Sequence, residues 1–163
     1  MGMHSKATSV RTRALVAAGL VGLGALGSVG AAVGTAQAEA PRPVVIDGTP
    51  CTGAPRACVD LDEKQAWLIE NGEIVRGPVA ITSGGDDTPT PRGNHKVQWK
   101  NKDHHSSEFD DAPMPYAVFF AEGGIAFHEG STESRSAGCI RMDEDDASAF
   151  YDFLQVGDGV QVR

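Results

Sequence analysis

Basic residues are scarce in this 163-residue chain, where 14 Lys and Arg stand against 22 Asp and Glu. Three of the basic residues (Lys6, Arg11, Arg13) fall in the first 38 positions, which hold no acid, so the remainder carries 11 against 22, a net charge of −11. A surface this acidic repels phosphate backbones and argues against nucleic acid as a partner. Cysteine is also rare, with Cys51, Cys58 and Cys139 the only three. No internal repeat is visible, and no low-complexity run outside the first 38 residues, so one domain with a modest core is expected. The acids after Met142 lack the alternating oxygen ligands and central glycine of a calcium loop. The adjacent His104 and His105 match no standard zinc spacing. Neither a metal nor a cofactor is expected.

The one long uncharged run lies near the start. Lys6, Arg11 and Arg13 precede "ALVAAGLVGLGALGSVGAAVGTAQA", and Ala36-Gln37-Ala38 has the small-x-small form of a cleavage site. That order reads as a secretory signal peptide over 1–38, cleaved after Ala38. The run is long enough for the rival reading of a retained membrane anchor. Its Ala and Gly content gives it a weak hydrophobic drive, which favours cleavage. No Arg-Arg pair marks a twin-arginine signal, and no cysteine follows the run as a lipid anchor requires.

Residues 39–56, rich in Pro, Gly and small side chains, read as a flexible tether ahead of a domain over 57–163. Cys51 and Cys58 can close a short loop in an oxidising compartment, with two free thiols as the alternative. Beyond the tether the pattern is mainly strand. Apolar alternation flanks Asn71-Gly72, a strong hairpin signal. "HKVQWK" (95–100) reads as a further strand, and two β-rich runs flank Glu122-Gly123-Gly124 as a second hairpin. The polar stretch 101–115 reads as a long loop of the kind that forms lids. A single helix is expected from Asp143, its first-turn acids suiting the helix dipole and Ala147, Phe150, Tyr151 and Leu154 sharing a face. A turn at Gly157-Asp158-Gly159 leads to a closing strand. The sum is a mainly β domain with one packed helix near its C-terminus.

Cys139, in "SAGCIRM", is the odd cysteine, which in a secreted protein is an intermolecular link or a reactive thiol. A thiol becomes a nucleophile when a base is near. His128, ending "IAFH", is a candidate base, because the ten residues between it and Cys139 can fold back. The amides of Ala137, Gly138 and Cys139 are candidates to meet a developing oxyanion. A buried structural cysteine with an unrelated surface histidine is the competing reading of that pair alone.

Taken together, "SAGCIRM", "GGIAFHEG", "TSGGDDTPTPRG" with its Thr90-Pro91-Arg92-Gly93 turn, and the hairpin "VDLDEKQAWLIENGEIVRGPVAITSG" resemble the L,D-transpeptidase (YkuD-type) catalytic domain. The resemblance implies a compact β-sandwich or barrel carrying one helix, exported from a bacterial cell and associated with its wall. It implies Cys139 as nucleophile and His128 as general base acting on peptidoglycan tetrapeptide stems. The thioester at the third-position diamino acid releases D-alanine and passes to an acceptor amine as a 3→3 cross-link. By the same resemblance Glu129 supplies a backbone carbonyl that orients the imidazole. Ser136, Arg141 and Tyr116 orient the site or bind substrate, with bracing of the cysteine turn open for Arg141. Tyr116 and Phe119 are candidates to line the cleft, with core packing open for at least one. Carbapenem inhibitors are potential ligands, and a monomer is expected.

Two positions depart from that pattern. Ala137 stands where the family usually has histidine, keeping the backbone N–H and losing the imidazole. His95 follows the Thr-Pro-x-Gly turn where an aromatic is usual, and reads as a strand side chain. The alternatives to a transpeptidase are an L,D-carboxypeptidase that hydrolyses the same acyl-enzyme, a decayed wall-binding module, and a structural protein that uses Cys139 for disulfides.

Overall fold

A computed structural model describes residues 44–163; the signal-peptide reading over 1–38 lies outside the described residues. The chain forms β1 (Ala57–Asp60), β2 (Gln65–Glu70), β3 (Glu73–Ala80), β4 (Gly93–Lys96), β5 (Trp99–Ser106), β6 (Ala112–Ala121), β7 (Ile125–Glu129), β8 (Ile140–Met142), α1 (Glu144–Phe153) and β9 (Gly159–Val162). One sheet runs β3-β2-β1-β9-β4 and the other β5-β6-β7-β8. Period-two alternation turns one face of each toward a shared core. Val59, Leu68, Val160 and Val162 come from the first sheet, Val118, Phe120, Phe127, Ile140 and Met142 from the second. Helix α1 closes this core with Ala147, Phe150 and Leu154, Phe150 lying 5.2 Å from Phe127 between ring centroids.

Local chemistry sets the boundaries. Asn71 and Gly72 both take positive φ (53° and 83°), the conformation a two-residue hairpin needs to match strand twist. Gly123 and Gly124 do the same between β6 and β7. Asp143 caps α1, its side chain accepting from the Asp146 N–H, and three acids fill the first turn where the dipole favours them.

Three expectations are corrected. The run 95–100 is two strands in different sheets, because the chain crosses the core at Val97. The Val97 N–H donates to the Asp158 carbonyl at one side and the Gln98 N–H to Phe119 at the other. The stretch 101–115 is mostly strand, β5 and β6 pairing from Trp99↔Phe119 to Ser106↔Ala112, so only 107–111 turns. The tether over 39–56 is folded in its described part, from 44 onward. Ile46 is buried with Cys51, Cys58, Trp67 and Ile69 on the outer face of the first sheet, and Cys51 is bonded to Cys58. A Pro- and Gly-rich segment with little apolar surface of its own is held by that covalent link, one buried isoleucine and a two-way hydrogen bond between the Thr52 backbone and the Gln161 side chain.

A loop this short contributes roughly 2–3 kcal/mol through the unfolded state. Thiol titration of denatured, unreduced protein is expected to find one sulfhydryl per chain and, after reduction, three. Cys51→Ala/Cys58→Ala should lower the unfolding free energy by about that 2–3 kcal/mol in a denaturant titration.

Candidate active site

Strands β7 and β8 pair in parallel, with Phe127 opposite Ile140 and His128 opposite Arg141. Alternation therefore sends Phe127, Ile140 and Met142 into the core, and presents His128, Arg141 and Cys139 on the opposite face. There they open on a cavity of about 460 Å³. Its floor is Phe119 and Met114, its far wall Trp99 and His104 of β5, and its rim Ser136 and Ala137. Cys139 is half-buried against Met114, Ala117, Phe119 and Ala126, and its thiol donates to the Gly124 carbonyl at 3.5 Å.

His128 is buried at 6% exposure. Its Nδ1 lies 2.6 Å from the Glu129 carbonyl oxygen. A carbonyl only accepts, so Nδ1 carries the proton and donates it, and Nε2 is left with its lone pair free. Burial, with Arg141 and His104 adding positive charge nearby, lowers the pKa of His128 to about 4 against the help of the Glu129 carbonyl. Burial also pushes the Cys139 thiol up, outweighing the Ala126 backbone and the Arg141 charge, both of which favour thiolate. The resting pair is neutral thiol and neutral imidazole. A neutral Nε2 can accept a proton, and an un-ionised thiol needs such a base in order to attack.

The turn carrying Cys139 is tied to the segment after β3. Thr82 exchanges backbone bonds with Arg141 (2.9 and 3.0 Å), and the Ser136 N–H donates to Ser83 at 3.0 Å. The buried Thr90 hydroxyl donates to the Gly138 carbonyl at 2.7 Å while accepting from the Gly84 N–H at 3.0 Å. The approach is close. A Cβ on Gly84 would lie 2.0 Å from the Thr88 carbonyl oxygen and 2.9 Å from the Gly138 Cα, and Gly138 itself has φ +115°. Only glycine fits either position.

The sequence-stated residues fall into place unevenly. The Ser136 hydroxyl donates to the Cys139 carbonyl at 2.5 Å and accepts from the Gly138 N–H at 3.1 Å. The Gly138 amide is therefore occupied and leaves the oxyanion set. The Ala137 and Cys139 amides make no hydrogen bond among the described residues and remain available. Arg141 braces: its Nη2 donates to the carbonyl and hydroxyl of Ser134, and its methylenes cover Gly130. Its buried Nε has no partner. Tyr116 is a correction. It packs on the main core, edge-on to Tyr151 at 6.2 Å, and does not line the cavity. Its φ of +57° breaks the alternation of β6, so that Met114 and Ala117, three apart, share the cleft face. Phe119 does line the cavity.

His104 and His105 separate. His104 lines the cleft, whereas the His105 Nδ1–H donates to the Asp111 carbonyl at 2.9 Å. His95 sits on β4 with its ring bonded to the Pro91 carbonyl at 3.0 Å. No cluster of His, Cys, Asp and Glu able to hold a metal occurs among the described residues. Residue reading missed Thr82, Ser83 and Gly84, together with the cleft positions of Trp99 and His104. The Thr-Pro-x-Gly turn pointed at Thr90 without giving its role, and only the strand register reveals the others.

The family model of the L,D-transpeptidase catalytic domain (YkuD) matches residues 54–162. Among solved structures, the chain is similar to the L,D-transpeptidase from Stackebrandtia nassauensis, at 27% identity and a TM-score of 0.63, covering 68% of this chain and 56% of that one. It is likewise similar to the L,D-transpeptidase from Xylanimonas cellulosilytica, at 26% identity and 0.62, covering 71% and 63%. An L,D-transpeptidase solved in complex with imipenem shares the fold at 23% identity and 0.61, covering 68% and 59%. The chain thus spans less than two thirds of the length of each. No curated protein sequence matches.

Burial of neutral His128 couples the site to stability. The folded-state pKa of about 4 lies below the unfolded value near 6.5. Below pH 6.5 the unfolded chain takes up a proton that the folded chain refuses. Stability is at its ceiling above pH 6.5 and falls as pH drops toward 4, by about 3 kcal/mol in all. Urea titrations at intervals between pH 7 and 4 should show this fall in wild type and lose that share of it in His128→Gln. Parallel pH profiles for the two proteins would contradict the burial account.

Proposed function

The chain belongs to the L,D-transpeptidase catalytic domain family, and from that premise we propose that it is a secreted cysteine acyltransferase acting on peptidoglycan tetrapeptide stems. The observation that carries this reading is that Cys139 opens on the same cavity as an imidazole whose Nδ1–H is held by the Glu129 carbonyl. That bond fixes the tautomer and leaves Nε2 as the ring's proton acceptor.

In the proposed reaction, Sγ of Cys139 attacks the carbonyl of the third-position diamino acid as Nε2 of His128 takes the thiol proton. The oxyanion meets the Ala137 and Cys139 amides, and a donor of this kind is worth about 2.7–4 kcal/mol. Collapse expels the D-alanine amine, which receives the proton from His128. The thioester then passes to the side-chain amine of a second stem, giving the 3→3 cross-link, or to water, giving the carboxypeptidase product. Ser136 and Thr90 position the cysteine turn, and Arg141 braces it through the bonds of its Nη2 to Ser134. Export by the 1–38 leader, cleaved after Ala38, places the enzyme at the cell wall. A decayed binding module would have no use for an oriented base beside a thiol.

Intact-mass spectrometry tests this directly. Incubation with a tetrapeptide stem or a carbapenem should add an acyl mass to Cys139, and Cys139→Ser should lose both the adduct and D-alanine release by at least about 100-fold. Turnover by the serine variant near the wild-type level would remove Cys139 as nucleophile. Ala137→His should change the acylation rate by less than about tenfold, since a backbone donor is insensitive to the side chain it carries. An inert wild type beside an active histidine variant would mark a decayed enzyme.

A further inference from the structure

Of the four histidines among the described residues, His104 alone has neither ring nitrogen engaged. His95, His105 and His128 each bond a backbone carbonyl. The His104 ring is nonetheless fixed, edge-on to Phe119 at 5.0 Å and to Trp99 at 5.4 Å, with Trp99 stacked on Phe119 at 3.7 Å. It is half-buried and lines the same cavity as Cys139 and His128, from the opposite edge of the sheet. Positive charge on His104 disfavours a proton on His128, so the two imidazoles act on one space.

We propose that His104 serves the acceptor half of the reaction, taking the first proton from an incoming ammonium so that a neutral amine reaches the Cys139 thioester. This rests on the acyl-enzyme chemistry proposed above. An aliphatic amine of pKa near 10.4 is neutral in only about one molecule in 2,500 at pH 7. Acylation returns His128 to its neutral form, and that residue then has one proton to carry. As the amine nitrogen bonds to the thioester carbon, Nε2 of His128 takes the second proton and passes it to the departing thiolate, while the C–S bond breaks and the amide forms. The first proton needs another recipient. An imidazole exchanges protons at neutral pH, and one that is half-exposed and unpartnered can return its proton to water. The other charged and titratable groups on the cavity are Glu108, Glu129, Arg135 and Arg141, with His128 and Cys139 themselves. Of these, Glu108 follows β5 in the chain, while Glu129 lies on β7 beside His128 and the two arginines match the two carboxylates in charge.

The test uses His104→Phe, which keeps the ring packing without a base, and His104→Gln, with a tetrapeptide stem as donor and acceptor. Acyl-enzyme formation is read by mass, and cross-linked dimer against hydrolysed tripeptide by chromatography. Both variants should acylate within about threefold of wild type yet cross-link at least tenfold more slowly at pH 7, a modest share of what a general base gives. The deficit should shrink toward pH 10, where the amine loses its proton unaided. Normal cross-linking by His104→Phe would assign the ring to packing and overturn the proposal. So would a parallel fall in acylation, or a deficit unchanged at pH 10. If wild type forms no acyl-enzyme, the proposed function fails and this proposal with it; a wild type that acylates and cross-links leaves the variants to decide His104 alone.

Discussion

The parallel pairing of β7 with β8, in the register that sets His128 opposite Arg141, is the constraint on which the site depends. A one-residue slip would turn Cys139 and Arg141 into the core and Ile140 and Met142 out of it. Parallel neighbours usually need a crossover of a dozen or more residues, most often with a helix. Here ten residues, 130–139, make the connection without one. So short a link cannot fix itself by its own packing, and the segment 82–90 fixes it from outside. Thr82 and Ser83 supply the backbone partners, and Thr90 holds the Gly138 carbonyl. Gly84 permits the approach that these bonds require. The geometry of the site is thus a product of two segments that are far apart in sequence and bonded to each other.

Burial then decides the protonation of what this geometry brings together. Desolvation dominates both groups, lowering His128 and raising Cys139. Arg141, their neighbour on β8, favours the thiolate while disfavouring the imidazolium. In the proposed reaction this favours the Cys139 anion without holding His128 in its charged form. The Glu129 carbonyl works the other way on His128, and its larger effect is directional: it fixes the tautomer. A site of this kind stores its reactivity in orientation more than in a pre-formed ion pair, and it is least stable where acid forces a charge onto the buried ring.

The residues announced the elements whose signals are local. Asn71-Gly72, Gly123-Gly124, the acid-led helix after Asp143 and the short-loop cysteines all act within a few positions of themselves, and each lies where its chemistry placed it. The Cys139 and His128 candidates were legible through spacing and a family resemblance. What sequence could not carry is register between distant strands. The crossing at Val97 depends on Asp158, just before β9 of one sheet, and on Phe119 of β6 in the other. The loss of the Gly138 amide from the oxyanion set depends on which way Ser136 rotates. Tyr116 faces the core with Val118 and Phe120, and its left-handed backbone brings Met114 onto the cleft face with Ala117 and Phe119. His104 entered it because a stretch that reads as a polar loop is in fact a paired strand.

The two walls of the cleft consequently differ in kind. The β7–β8 wall is closed by backbone hydrogen bonds and holds Cys139 and His128, the groups that the proposed acylation uses. The β5–β6 wall ends a sheet, and edge strands invite pairing with other chains unless charge discourages it. Lys100, Lys102 and Asp103 supply that charge on β5, and Lys100 is further anchored to the Leu154 carbonyl at 2.6 Å. The same strand contributes an exposed tryptophan and an unpartnered imidazole inside the cavity. Ala137 fits this division. With only a methyl group there, its side chain adds no ring over the free Ala137 and Cys139 amides. Among the described residues the second imidazole on this cavity is His104, and β5 is the strand that carries it.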